Sequence, residues 1–332
     1  MNALPIQKPR VPDPRTLLRR AWAFNRPLTI VGVLMLITLA GTMVGMLVDP
    51  LVLTGQPAWI KPAKFAISIS IYCFTLLWFL TYVRGYRRMV ALVAVATAVA
   101  LAVEEIIIVG QVVRGNTSHF NIATQLDGAL WSIMGLTIAV VLVANLVAVI
   151  LLLLQRLPDP VFAWALRLGL IISFVGMLVA VFMVFPTPAQ LSAAQSTGTM
   201  AIAGAHSVGV EDGGPGLPFV GWSTTGGDLR IAHFTGLHGL QIIPLIGFVI
   251  TGLQVGWLDA RSRVALVWTT GLAYLGLVLL LAWQALRGQP LLAPDTLTLG
   301  ALLAIIIATT WSALAVTLRA HKVRSLIDDN KE

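Results

Sequence analysis

Charge is what this sequence has least of. Of 332 residues only 11% are Asp, Glu, Lys or Arg, and 14 are acidic. A soluble globular domain carries about 25%, so an ordinary soluble enzyme and a disordered chain are both excluded. There is one cysteine, Cys73, which rules out an internal disulfide. No P-loop is present, and the His-Phe-Thr-Gly-Leu-His run at 233–238 has one residue too many for an i, i+4 metal pair. What is abundant is apolar: 58% of the residues, with a mean hydropathy of +0.88. These numbers describe an integral membrane protein.

A membrane-crossing helix needs about 20 mostly apolar residues. Eight such runs are read at 28–48, 63–83, 89–112, 128–154, 161–185, 232–256, 264–286 and 297–318. Turn or charge signals separate them, including Asp49-Pro50, Arg84 to Arg88, Arg114-Gly115 and Asp259 to Arg263. The first run is too long for a signal-peptide core and is read as a retained helix. With the N-terminus inside, 17 of the 22 Lys and Arg residues fall on the inner side. That bias predicts both termini in the cytoplasm of a multi-pass membrane protein. Anionic lipid explains the inner cations. The lipid bilayer is therefore the expected partner and nucleic acid is not; the oligomeric state is left open.

The chain repeats itself. AWA at 21–23 returns at 163–165, and VG at 31–32 returns at 175–176. KPAKF at 61–65 aligns with RIAHF at 230–234, and QVVRG at 111–115 with QALRG at 284–288. These matches keep the same order and nearly the same spacing, which predicts a four-plus-four duplication. The expected fold is all-α: eight transmembrane helices as two parallel four-helix repeats. A basic segment, 1–27, precedes the first repeat, 28–158. The second repeat, 159–319, carries an outer insertion at 187–229, and a tail follows at 320–332.

Five cations stand against the inside bias: Lys61, Lys64, Arg114, Arg230 and Arg287. Every one falls at a position matched between the halves. They suit either helix-end anchoring or a cationic vestibule for a carboxylate, a phosphate or haem propionates. Glu104 and Glu105 lie about 12–14 Å below the outer end of the third run, near the bilayer centre. A carboxylate there is paired, protonated or functional. Four of the five histidines, His119, His206, His233 and His238, lie on the outer side. With the two glutamates they supply ligand types for a metal ion or haem. The glycine- and proline-rich stretch 211–230 disfavours a helix, and Thr224, Thr225 or Asp228 is placed to cap the sixth span.

The strings WIKPAKF (59–65), RGNTSHFN (114–121) and GWSTTGGDLRIAHFTGLHGLQ (221–241) resemble motifs of a bacterial integral-membrane family of hypothetical proteins. That resemblance implies a bacterial plasma-membrane setting and no particular activity. The two four-helix halves also resemble the layout of haem A synthase, which places histidines in the second and fourth helices of each half. The fourth helices here contain none, and Lys64 stands where the second half has His233.

Three functions are expected from these residues. The first is a metal- or haem-dependent membrane enzyme acting at the outer half of the bilayer. In it Glu104, Glu105 and His238 are catalytic, and Lys61, Lys64, Arg114 and Arg230 hold an acidic substrate or cofactor. His119, His206, His233 and His238 are its candidate metal ligands. The alternative is a proton-coupled transporter or channel for a small anion. The third is a non-catalytic scaffold or receptor.

Overall fold

The computed structural model describes residues 13–253 and 255–329, with side chains described as far as Leu326. Residues 1–12, within the expected N-terminal segment, and 330–332, at the end of the expected tail, lie outside the described residues. A short helix α1 (Pro14–Phe24) comes first. It starts at Asp13, whose carboxylate accepts from the Thr16 amide, with Pro14 in the first turn. Composition had not suggested this helix.

Among the described residues, eight helices are long and apolar enough to cross a membrane. They are α2 (Arg26–Val48), α3 (Ile60–Leu80), α4 (Arg87–Val113), α5 (Gln125–Leu153), α6 (Pro160–Val179), α8 (Leu229–Gly252), α9 (Ala260–Leu286) and α10 (Thr296–Asp329). Helices are the form that satisfies every backbone polar group within hydrocarbon. Side-chain oxygens mark several of the starts. Asn25 accepts from Leu28, Thr124 from Asp127, Asp159 from Val161, and Asp259 from Ser262. The eight runs read from hydropathy are all present, with ends moved by a few residues. The largest change is α10, which continues through much of the expected tail.

The packing order is the same in each half. α2 lies on α3 and α4, and α4 on α5; α6 lies on α8 and α9, and α9 on α10. The α5–α6 contact joins the halves, supported by Phe79, Leu152, Leu166 and Leu240 in one buried cluster. The closest approach is α6 against α8. A Cβ added to Gly176 would lie 2.7 Å from the Gly236 backbone, and one on Gly236 would lie 2.4 Å from Gly176. Two backbones meet there because neither residue has a side chain, the usual device where lipid supplies no hydrophobic drive.

The α4 and α9 ends are built alike. Gln111 donates to the Thr117 carbonyl and Gln284 to the Pro290 carbonyl. Gly115 and Gly288 follow with φ of 72° and 73°, and each amide returns to the last helical turn. Arg114 then pairs with Asp127 at 2.8 Å, and Arg287 pairs with Asp295.

One end of the bundle carries nearly all the irregular structure. The hairpin β1 (Val52–Leu53) and β2 (Gln56–Pro57) is there, as is the insertion. The insertion holds α7 (Pro188–Thr197), closed by a Thr187/Gln190 capping box. It also holds a ribbon of β3 (Ser207–Val208) with antiparallel β4 (Gly227–Asp228), in register Ser207↔Asp228. Ile122 donates to the Ala201 carbonyl and Ala203 to that of Phe120, so the insertion is stitched to the loop of the first half. At the opposite end arginines cap carbonyls. Arg263 donates to Ile250 and Leu253, and Arg167 to Gln155.

The α6–α8 contact makes a stability prediction. Gly236→Leu forces the helices apart and costs about 1–3 kcal/mol, read as a lowered thermal midpoint in detergent. Gly300→Leu, on α10 with nothing within 4 Å, changes stability by less than about 0.5 kcal/mol. Equal midpoints for the two variants contradict the contact.

Candidate functional site

A cavity of about 1450 Å³ opens under the insertion. Its walls are the β1–β2 hairpin, the first two turns of α3, the 116–120 loop, the insertion and one stripe of α8. The first turns of α3 and α8 bring Lys61, Lys64 and Arg230 to its rim. The loops bring His119 and His206, and α8 brings His238.

His206 and Asp212 form a closely bonded pair. The Asp212 carboxylate accepts from the His206 amide at 3.0 Å and the Ser207 amide at 2.8 Å, closing a turn. It lies 2.7 Å from Nδ1 of the His206 ring. Burial alone raises the Asp212 carboxyl, but the ring and amide bonds outweigh it and hold it well below the ordinary carboxylate range. An ionised Asp212 makes Nδ1 the donor, which leaves Nε2 of His206 as the acceptor. Burial lowers the His206 imidazole below its ordinary 6.5, with Asp212 working against that shift.

His119 stands beside it, with ring centroids 6.4 Å apart. Its Nδ1 is 3.2 Å from Ser118 Oγ, and its Nε2 is 3.5 Å from Glu104 Oε1. The second distance is too long for a hydrogen bond. Glu104 is 1% exposed; its Oε2 accepts from Thr137 at 3.3 Å and its Oε1 has no hydrogen-bond partner. Burial, then the Lys61 ammonium and His206, push the His119 imidazole well below 6.5. The cavity therefore holds two neutral imidazoles, each next to a carboxyl group.

The cations divide. Arg230 is committed: Nε and Nη2 bond Asp228 at 2.9 and 2.6 Å, and Nη2 also holds the Gly221 carbonyl. Lys64 donates to the Val220 carbonyl at 3.0 Å. These two fasten the roof of the cavity. Lys61 has no hydrogen bond to a described residue, and Glu104, Asp212, Arg230 and Lys64 are within its electrostatic reach. Arg114 and Arg287 do not line the cavity; each is tied to the next helix by its aspartate. The five-cation vestibule expected from the repeat is thus reduced to one uncommitted ammonium and two structural cations. Matched positions at α4 and α9 serve the helix ends instead.

The remaining candidates scatter. His233 is turned toward α6, where Nδ1 lies 2.8 Å from the Gly176 carbonyl, and it does not line the cavity. His238 lies nine residues along α8 from Leu229, about 14 Å deeper, with Nδ1 3.4 Å from Gln241. Glu105 is 2% exposed and neither of its oxygens has a partner. No group of three or more His, Cys, Asp or Glu side chains fit to hold a metal ion exists among the described residues. The donor set therefore does not fit the expected four-histidine metal centre, because His233 is turned toward α6 and His238 lines the cavity well below His119 and His206. Asp212 and Thr137 were not foreseen. Asp212 was legible only as an acidic residue six after a histidine in a glycine-rich turn. Thr137 gave no signal, since its role depends on the α4–α5 crossing. Asp228 does cap α8, accepting from the Arg230 amide. The chain matches no family model, no curated protein and no solved structure, so function must be argued from this cavity.

The depressed imidazoles make stability depend on pH. An unfolded chain takes up these protons near 6.5, whereas the folded protein resists them. Below that pH the unfolded state binds more protons, so stability falls as pH drops. The thermal midpoint should decline between about pH 7 and 5.5, well above the carboxylate range, and less steeply in His119→Phe. Equal slopes in the two proteins contradict the assignment.

Proposed function

We propose that this protein is a membrane enzyme performing acid–base chemistry on an anionic substrate. The observation that carries this reading is the pair of neutral imidazoles facing one cavity beside the uncommitted Lys61. Asp212 fixes the tautomer of His206, so Nε2 of His206 is the base that removes a proton from substrate or from a substrate-bound water. The proton taken up by His206, whose imidazolium Asp212 stabilises, passes from Nε2 to the leaving group, and neutral His119, beside Glu104, donates a hydrogen bond to the developing negative charge. Its loose 3.5 Å approach to Glu104 is typical of a site that tightens on substrate binding. Lys61 fixes the substrate's negative charge, while Lys64 and Arg230 keep the roof in place. No metal is needed in these steps. We place the cavity on the extracytoplasmic side of a bacterial plasma membrane, because the opposite end carries most of the arginines. The matched α4 and α9 ends support a duplicated origin for the bundle.

A second reading, a proton-coupled transporter, has one observation in its favour. Beyond the cavity, toward the arginine-rich end, Thr97 Oγ1 and Asn145 Oδ1 are buried without partners, as are both oxygens of Glu105. Such groups inside a bundle suit a proton path.

The test is turnover of p-nitrophenyl esters and phosphates by purified protein. His206→Gln should lose about 10²–10⁴-fold, and His321→Gln, at the opposite end, should lose nothing. Equal turnover in the two variants removes the acid–base role. Proton-driven anion uptake into proteoliposomes that is abolished by Glu105→Gln would favour the transporter.

A further inference from the structure

The cavity is not closed on all sides. Two facing stripes descend from its rim: Lys61, Lys64 and Ile67 on α3, and Arg230, His238 and Ile242 on α8. Ile67 and Ile242 line the cavity and are 45% and 36% exposed, and the same stripes run on into Ile71 and Leu245, which are 40% and 62% exposed and do not line it. A helix face that passes from cavity wall to outer surface marks an opening in the side of the bundle. Along α8 the opening reaches Ile242, about 20 Å below Leu229, where the surroundings of a membrane-crossing helix are hydrocarbon. Near that level the two helices are bridged, because Gln241 Nε2 donates to Thr75 Oγ1 at 3.1 Å. The result is a slot with an ammonium and two imidazoles at the top, mainly apolar walls and a polar crosspiece toward its floor. Ser68, Thr235, His238 and Tyr274 are the polar exceptions on its walls.

A small water-soluble anion would use the top of this space and leave the slot empty. A chain-bearing anion would use all of it, and it would enter sideways without leaving the bilayer. We propose that the substrate is a single-chain anionic amphiphile drawn from the membrane. Its headgroup sits at Lys61 between His119 and His206, and its alkyl chain lies between α3 and α8. The proposal rests on the acid–base reading for the position of the headgroup, and adds the chain and its route.

Two phosphate probes separate the two claims. Protein in phosphatidylcholine nanodiscs is photolabelled with dodecyl phosphate carrying a diazirine at the chain end, and the labelled residues are mapped by mass spectrometry. Label is expected on 67–68 and 238–242. It should fall by about tenfold or more in Lys61→Gln, because the headgroup sets the chain's register, and similarly in Ile67→Trp/Ile242→Trp, which fills the slot. Binding of ethyl phosphate, read by phosphorus NMR line broadening, should depend on Lys61 and be unaffected by the tryptophans. Should the double variant fail to fold, the Lys61-dependence of slot labelling in otherwise native protein decides the matter alone. Labelling of the slot that is indifferent to Lys61, with ethyl phosphate still bound, overturns the chain site and spares the acid–base reading. Failure of both probes to depend on Lys61 overturns both.

Discussion

A single buried carboxylate ties the insertion to the bundle. Asp228 is 1% exposed and accepts from the Ser223 amide, the Arg230 amide and two nitrogens of the Arg230 guanidinium. It therefore does three things at once. It caps α8, it ends the β3–β4 ribbon, and it aims Arg230 at the Gly221 carbonyl in the roof. A carboxylate taken out of water is tolerable only when its oxygens are this well satisfied. Through β3 the same connection fixes His206, whose carbonyl receives the Leu229 amide. The position of the histidine facing the cavity thus follows from a helix cap in the adjacent span.

The groups that surround the cavity come from distant parts of the chain, and they contrast with one another in how fully they are satisfied. Asp212 and Asp228 are saturated with hydrogen bonds. Glu104 is half satisfied, and Lys61 is uncommitted. Saturated groups hold shape, while under-satisfied buried groups cost stability and persist where a ligand or a proton completes them. The same contrast separates Arg114 and Arg287, each paired within its own junction, from Lys61.

The eight spans were legible because hydropathy, turn residues and charge agree at every boundary. Asp228 was legible as one of three candidate caps, with Thr224 and Thr225, since a short polar residue before an apolar run has few other uses. Glu104, His119 and His206 were legible as unusual residues on one side, but not as neighbours. Their meeting depends on the 201–203 segment lying antiparallel to the 120–122 segment, a long-range pairing with no local signature. The repeat misdirected the reading of the cations. Arg114 and Arg287 sit in similar junctions at the ends of α4 and α9, whereas Arg230 is bonded to Asp228 and the insertion and Lys61 is not. α7 and the side opening were invisible, because each depends on tertiary contacts between weakly patterned segments.

The insertion folds onto the 116–122 loop and brings His206 to His119. Asn121 and Ile202 are bridge partners at that seam, a spacing that suits a disulfide. The decisive measurement is thiol accessibility in membranes containing the Asn121→Cys/Ile202→Cys protein in a Cys73→Ala background, under mild oxidation. A disulfide within one chain is expected, and it protects both thiols from maleimide-polyethylene glycol until reductant is added. Two thiols that stay free and react as readily as in the single-cysteine proteins would contradict it.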